Sequence, residues 1–176
     1  MPRTGLPLSR ALRAASICAL ISALQLAFSF AAEPGYAQAR TPTANELKSI
    51  RDCATKNKDN LDDGERLCLF DLVAEPCMGK PPENASEAVA VDCYRLEGAI
   101  WDGLLNENYK SLLGTLDADQ TAKAQAMQRA WIAYRDTTCQ FYDDKIQGSM
   151  SARMHASCVT RETARRAMLL NFFSGL

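Results

Sequence analysis

The twelve residues from Gln128 to Cys139 contain neither glycine nor proline and only scattered β-branched side chains. With their flanks they place Ala124, Met127, Trp131, Tyr134, Thr138 and Phe141 alternately three and four positions apart, the spacing that lines up one face of an α-helix. A long helix with a single apolar stripe needs a partner helix, so the stretch predicts an all-α fold with the rest of the chain arranged around it.

The partners follow from start and stop signals. Asn84 with Glu87 has capping-box spacing, and Ser86 is an alternative cap in the same turn. The helix opened there is expected to run to about Leu116, since Tyr94, Trp101, Leu104, Leu105, Leu112, Leu113 and Leu116 recur at helical spacing. Gly98 and Gly103 weaken it by roughly 1 kcal/mol each. Asp117 with Gln120 repeats the capping box and opens the central helix, and so short a turn makes the two long helices antiparallel. Trp101 and Trp131 are expected as core anchors between them. Gly148 then ends the central helix and Ser149 can cap a third, to Phe173, with Arg161, Arg165 and Arg166 in its C-terminal half where the dipole favours cations. Upstream, Glu46–Lys58 and Glu65–Ala74 read as short helices joined by a carboxylate-rich turn, in which Gly64 relieves backbone strain.

The first 39 residues read as a leader: Arg3, Arg10 and Arg13, an apolar run from Ala14 to Ala32, and Ala37-Gln38-Ala39 as a small-x-small cleavage site. Ser22, Gln25 and Ser29 interrupt the run, so no stable membrane insertion is expected after cleavage, and the product is expected in the periplasm or medium of a bacterium. Residues 40–176 suit one domain, read as a cysteine-containing acidic extension over 40–76 followed by a helical domain over 77–176. They hold Cys53, Cys68, Cys77, Cys93, Cys139 and Cys158, an even set that implies three disulfides in an oxidising compartment. Of the fifteen possible pairings, two follow from the layout. Neighbours pair across turns carrying Gly64, then Gly79 with Pro81 and Pro82, then Gly148; or else Cys93 meets Cys139 across the antiparallel helices and leaves Cys77 for Cys158.

Charge and motifs narrow the function. Residues 40–119 carry sixteen acidic and nine basic side chains, and residues 120–176 four and eight. An acidic first half disfavours nucleic acid, which needs a basic surface to displace counterions, and suits docking onto a basic protein; Asp62, Asp63 and Glu65 are the candidate contacts. No Cys-x-x-Cys occurs and His155 is the single histidine, so zinc and thiol redox chemistry lack their spacing. A calcium loop starting at Asp59 would need oxygen ligands where the chain has Leu61 and Phe70. Asp143-Asp144 has no second acidic pair to form a glycosidase dyad and reads as solvated. No cofactor, metal or catalytic role is expected.

Cys93, Trp101-Asp102 with Leu105-Asn106 and Tyr109, Gln128-x-x-Trp131-Ile132-x-Tyr134-Arg135-Asp136-x-x-Cys139, Gly148-Ser149 and Cys158-x-x-Arg161 together resemble the LprI-type lysozyme-inhibitor domain family of exported bacterial proteins. The likeness covers about Cys77 to Leu170 and is most specific in the Trp-x-x-Tyr-Arg-Asp-x-x-Cys run. It implies a small disulfide-bonded helical domain, with lysozyme inhibition assigned to some members. Gln147-Gly148 stands where the family often has two glycines, and residues 40–76 lie outside the common core. Arg135 and Asp136 are expected to pair with neighbouring elements, Arg135 with Asp102 or Glu107.

Overall fold

The computed structural model describes residues 40–176; the expected leader lies outside the described residues. Helices α1 (Ala44–Lys56), α2 (Leu61–Cys68), α3 (Ala74–Met78), α4 (Glu87–Leu113), α5 (Ala118–Lys145) and α6 (Ser149–Phe173) follow in order, with a 3-10 turn at Pro82–Asn84 before α4. No strand occurs among the described residues, so the all-α expectation stands.

Local chemistry explains the boundaries. Thr43 and Glu46 close a capping box on α1, as Asp117 and Gln120 do on α5. Ser86, rather than Asn84, caps α4 by accepting from the Val89 amide, because Asn84 is used in the 3-10 turn. Helix α4 stops at Leu113, short of the expected Leu116. Gly148, at φ 90°, occupies the N-cap position of α6, so Ser149 is the first helical residue and not the cap. The second short helix also lies earlier than expected. Asn60 caps α2 through the Asp63 amide, and Gly64 sits inside that helix, where an added Cβ would stand 2.8 Å from Met168 Sδ. Close approach of α2 to α6, and no turn strain, is what glycine serves there.

The long helices are the expected three, but they meet differently. Contacts of α4 with α6 ascend together, Glu87 with Arg153, Tyr94 with Thr160 and Asn108 with Ala167, so these helices are parallel. Those of α5 with α6 descend, Gln128 with Arg166, Cys139 with Cys158 and Asp143 with His155, so that pair is antiparallel. Helices α4 and α5 therefore run in opposite directions, yet among the described residues the extended interfaces are those each makes with α6. The central helix is α6, not α5. Its small and β-branched residues, Ala156, Ser157, Thr160, Thr163, Ala164 and Ala167, are buried and let both neighbours come close.

This arrangement corrects the α5 stripe. Its inward side is Ala124, Gln128 and Cys139, buried, with Met127, Trp131, Arg135 and Thr138 half-buried; Tyr134 and Phe141 face outward, 54 % and 62 % exposed. The main core joins Leu96, Ile100, Trp101, Leu104 and Leu105 of α4 to Ala164, Met168 and Leu170 of α6, and takes in Ile50, Cys68, Leu69 and Val73 from residues 40–76. The disulfides are Cys53–Cys68, Cys77–Cys93 and Cys139–Cys158, with Cα separations of 5.5–5.7 Å. Neighbours pair, and the Cys93–Cys139 alternative is excluded.

Candidate functional site

Three of the residues that carry the family likeness, Gln128, Trp131 and Arg135, converge around a buried arginine that sequence reasoning treated only as a helix-end cation. Arg166, 6 % exposed on α6, donates from Nε to Gln128 Oε1 at 2.9 Å, and its guanidinium carbon lies 5.6 Å from the Trp131 ring centre. Arg135 approaches the same ring at 4.9 Å, an attraction between cation and ring quadrupole. Tyr109 packs half-buried at the edge of the core, and burial lowers the guanidinium pKa of Arg166. Arg166 Nη2 is buried without a hydrogen-bond partner among the described residues.

Two expectations change here. Trp131 is half-buried between arginines and is not a fully enclosed anchor, whereas Trp101 is fully buried. Arg135 does not cross to α4. It donates from Nε and Nη2 to Oδ1 of the adjacent Asp136 at 2.9 and 2.8 Å, because Glu107 is taken by Arg51 of α1 and Asp102 accepts from Asn106 on its own exposed face. Arginine, indole and amide groups do not titrate near neutral pH, so this cluster suits packing and recognition and not proton transfer.

Glu97 is the second buried polar centre, missed in the sequence because a count of apolar residues passes over a carboxylate that lies in the row itself, between Tyr94 and Trp101. Fully buried, it accepts from the Phe70 amide (2.9 Å), the Ala74 amide (2.9 Å) and Trp101 Nε1 (3.0 Å). Burial raises its carboxyl pKa above the ordinary value, and the three donors oppose that rise. The carboxylate thus fixes the link between α2 and α3, where Phe70 holds a left-handed φ of 72°. A carboxylate four residues before a tryptophan within an apolar face was the available signal.

The candidate partner contacts separate. Glu65 accepts two bonds from Arg165, at 2.8 and 2.6 Å, and ties α2 to α6; Asp63 accepts from Asn60 and Arg66; Asp62 is exposed. The single histidine, His155, meets Asp143 Oδ2 at 2.5 Å between α6 and α5, so Asp143 is held between helices and not simply solvated. Among the described residues, all six cysteines are in disulfides and no group of three or more His, Cys, Asp or Glu side chains is placed to hold a metal. A cleft of about 210 Å³ lies where α1, α4 and α6 meet, lined by Trp101 and Leu104 with Arg51, Asn108 and Asn171 among its other residues. No helix among the described residues is long and apolar enough to cross a membrane.

Among known proteins, the family model described as lysozyme inhibitor LprI matches residues 77–170. No curated protein and no solved structure matches the chain.

Proposed function

Because the chain belongs to the LprI lysozyme inhibitor family, we propose that it is an exported, non-enzymatic binding protein that acts on a basic partner in the cell envelope, lysozyme first among them. Family membership carries this reading. The charge distribution supports it: Asp59, Asp62, Asp71, Glu75 and Glu83 are exposed and make no ion pair among the described residues. With Glu65 paired to Arg165 of α6 and Asp63 to Arg66 one turn on, the proposed contact surface moves from the expected triplet to Asp62 and these neighbours in sequence. Export and the cleavage after Ala39 belong to the same proposal and rest on the leader pattern and the cysteines.

The test is lysozyme turnover measured with and without the oxidised protein over a range of salt. Inhibition is expected at low salt and should weaken as salt rises, because exposed charges are screened within about 10 Å at 0.1 M. Asp62→Lys with Asp71→Lys should slow association more than it speeds dissociation. Full lysozyme activity in the presence of excess protein would overturn the reading and leave an envelope interaction module without lysozyme activity.

A further inference from the structure

The outward side of α5 is unpartnered. Tyr134 (54 % exposed), Phe141 (62 %) and Ile132 (40 %) stand on the solvent side of the helix, and Ala122, Ala126, Ala130, Ala133 and Thr137 are exposed along it. This row spans about 22 Å from Ala122 to Thr137 at 1.5 Å per residue. An exposed apolar patch rimmed by polar residues, here Lys123, Arg129, Asp136 and Asp144, marks an interaction surface.

Its charges are arranged with near two-fold symmetry about Ala133. Lys123 and Arg129 lie ten and four residues before it, and Asp144 and Asp136 eleven and three after it. Lys123, Arg129 and Asp144 make no ion pair among the described residues, and Arg135 engages only Oδ1 of Asp136.

We propose that this face binds a second copy of the chain, α5 packing antiparallel on α5 with the two-fold axis near Ala133. In that register Lys123 of one copy faces Asp144 of the other and Arg129 faces Asp136, each twice by symmetry. Phe141 lies over the small side chain of Ala126, and the two Tyr134 rings meet beside the axis. Parallel packing would set like charges together. A self-complementary patch that contacts itself is the geometry of a closed two-fold dimer.

The experiment is sedimentation equilibrium of the oxidised protein over a wide concentration range. A monomer–dimer equilibrium is expected. Phe141→Asp should weaken it at least about tenfold with the helical circular dichroism unchanged, since this side chain lies outside the core. Lys123→Asp should weaken it as well, and adding Asp144→Lys to that variant should restore it, because the swapped pair regains opposite charge. Wild-type protein that stays monomeric throughout, a dimer indifferent to Phe141→Asp, or a charge swap that fails to rescue, overturns the proposal.

Discussion

Single residues decide this fold most strongly where a polar group is enclosed. Glu97→Ala would strand two backbone amides and an indole N–H in the core, each costing about 1–3 kcal/mol, so a loss of at least about 3 kcal/mol is expected in denaturant unfolding. The pH dependence has a definite sign. Folding raises this carboxyl pKa above its ordinary value of 4.5, so the native state favours the protonated form, and stability from the group is present below that value and lost as pH climbs through the raised one. Glu97→Gln should flatten this part of the stability profile, and an unchanged profile would refute the assignment. The tryptophans rank by enclosure: Trp101→Ala should cost about 3–5 kcal/mol, and Trp131→Ala clearly less, as thermal melts of the two variants will show. Neither ranking was legible in sequence, where both indoles fell in helical apolar rows and neither Glu97 nor Arg166 belonged to a motif.

Elements were legible to the extent that their signals were local. Capping boxes at Thr43 and Asp117 act within one turn, and the Asp117 box showed directly as spacing. The register of α5 was not, because its inward row includes Gln128 and Arg135, and a count of apolar residues selects the adjacent row through Tyr134 and Phe141. The identity of the central helix was hidden for a related reason: α6 is central by virtue of small residues, which carry little hydrophobic signal. At the crossing of α4 and α6, a Cβ on Gly98 would stand 2.8 Å from Thr160 Oγ1, the hydroxyl that donates to the Tyr94 carbonyl at 2.8 Å. Gly98→Ala should therefore destabilise despite the roughly 1 kcal/mol gain in helix propensity. Combining it with Thr160→Ala should cost less than the two single changes added, a coupling of about 0.5–3 kcal/mol for residues in contact, measured by a double-mutant cycle in urea.

Across the whole molecule, the residues the family description covers depend on those it omits. Ile50, Leu69 and Val73 enter the main core, the Phe70 and Ala74 amides satisfy Glu97, and Arg51 and Glu65 form ion pairs with α4 and α6. A fragment of residues 77–176 is accordingly expected to lose cooperative unfolding, and a sharp calorimetric transition from it would contradict this. The acidic extension was legible as a segment with its own cysteines; its share in the core was not, since no periodicity in residues 40–76 says which distant helix they cover.

The six cysteines of residues 40–176 pair in order, first with second, third with fourth and fifth with sixth, and that order bears on how the protein matures. A chain threaded N-terminus first into an oxidising space presents each cysteine's partner next, so every bond can close before the following pair emerges. An oxidant acting during such passage makes the native set by sequence of arrival, whereas a chain oxidised after complete synthesis must choose among all pairings at once.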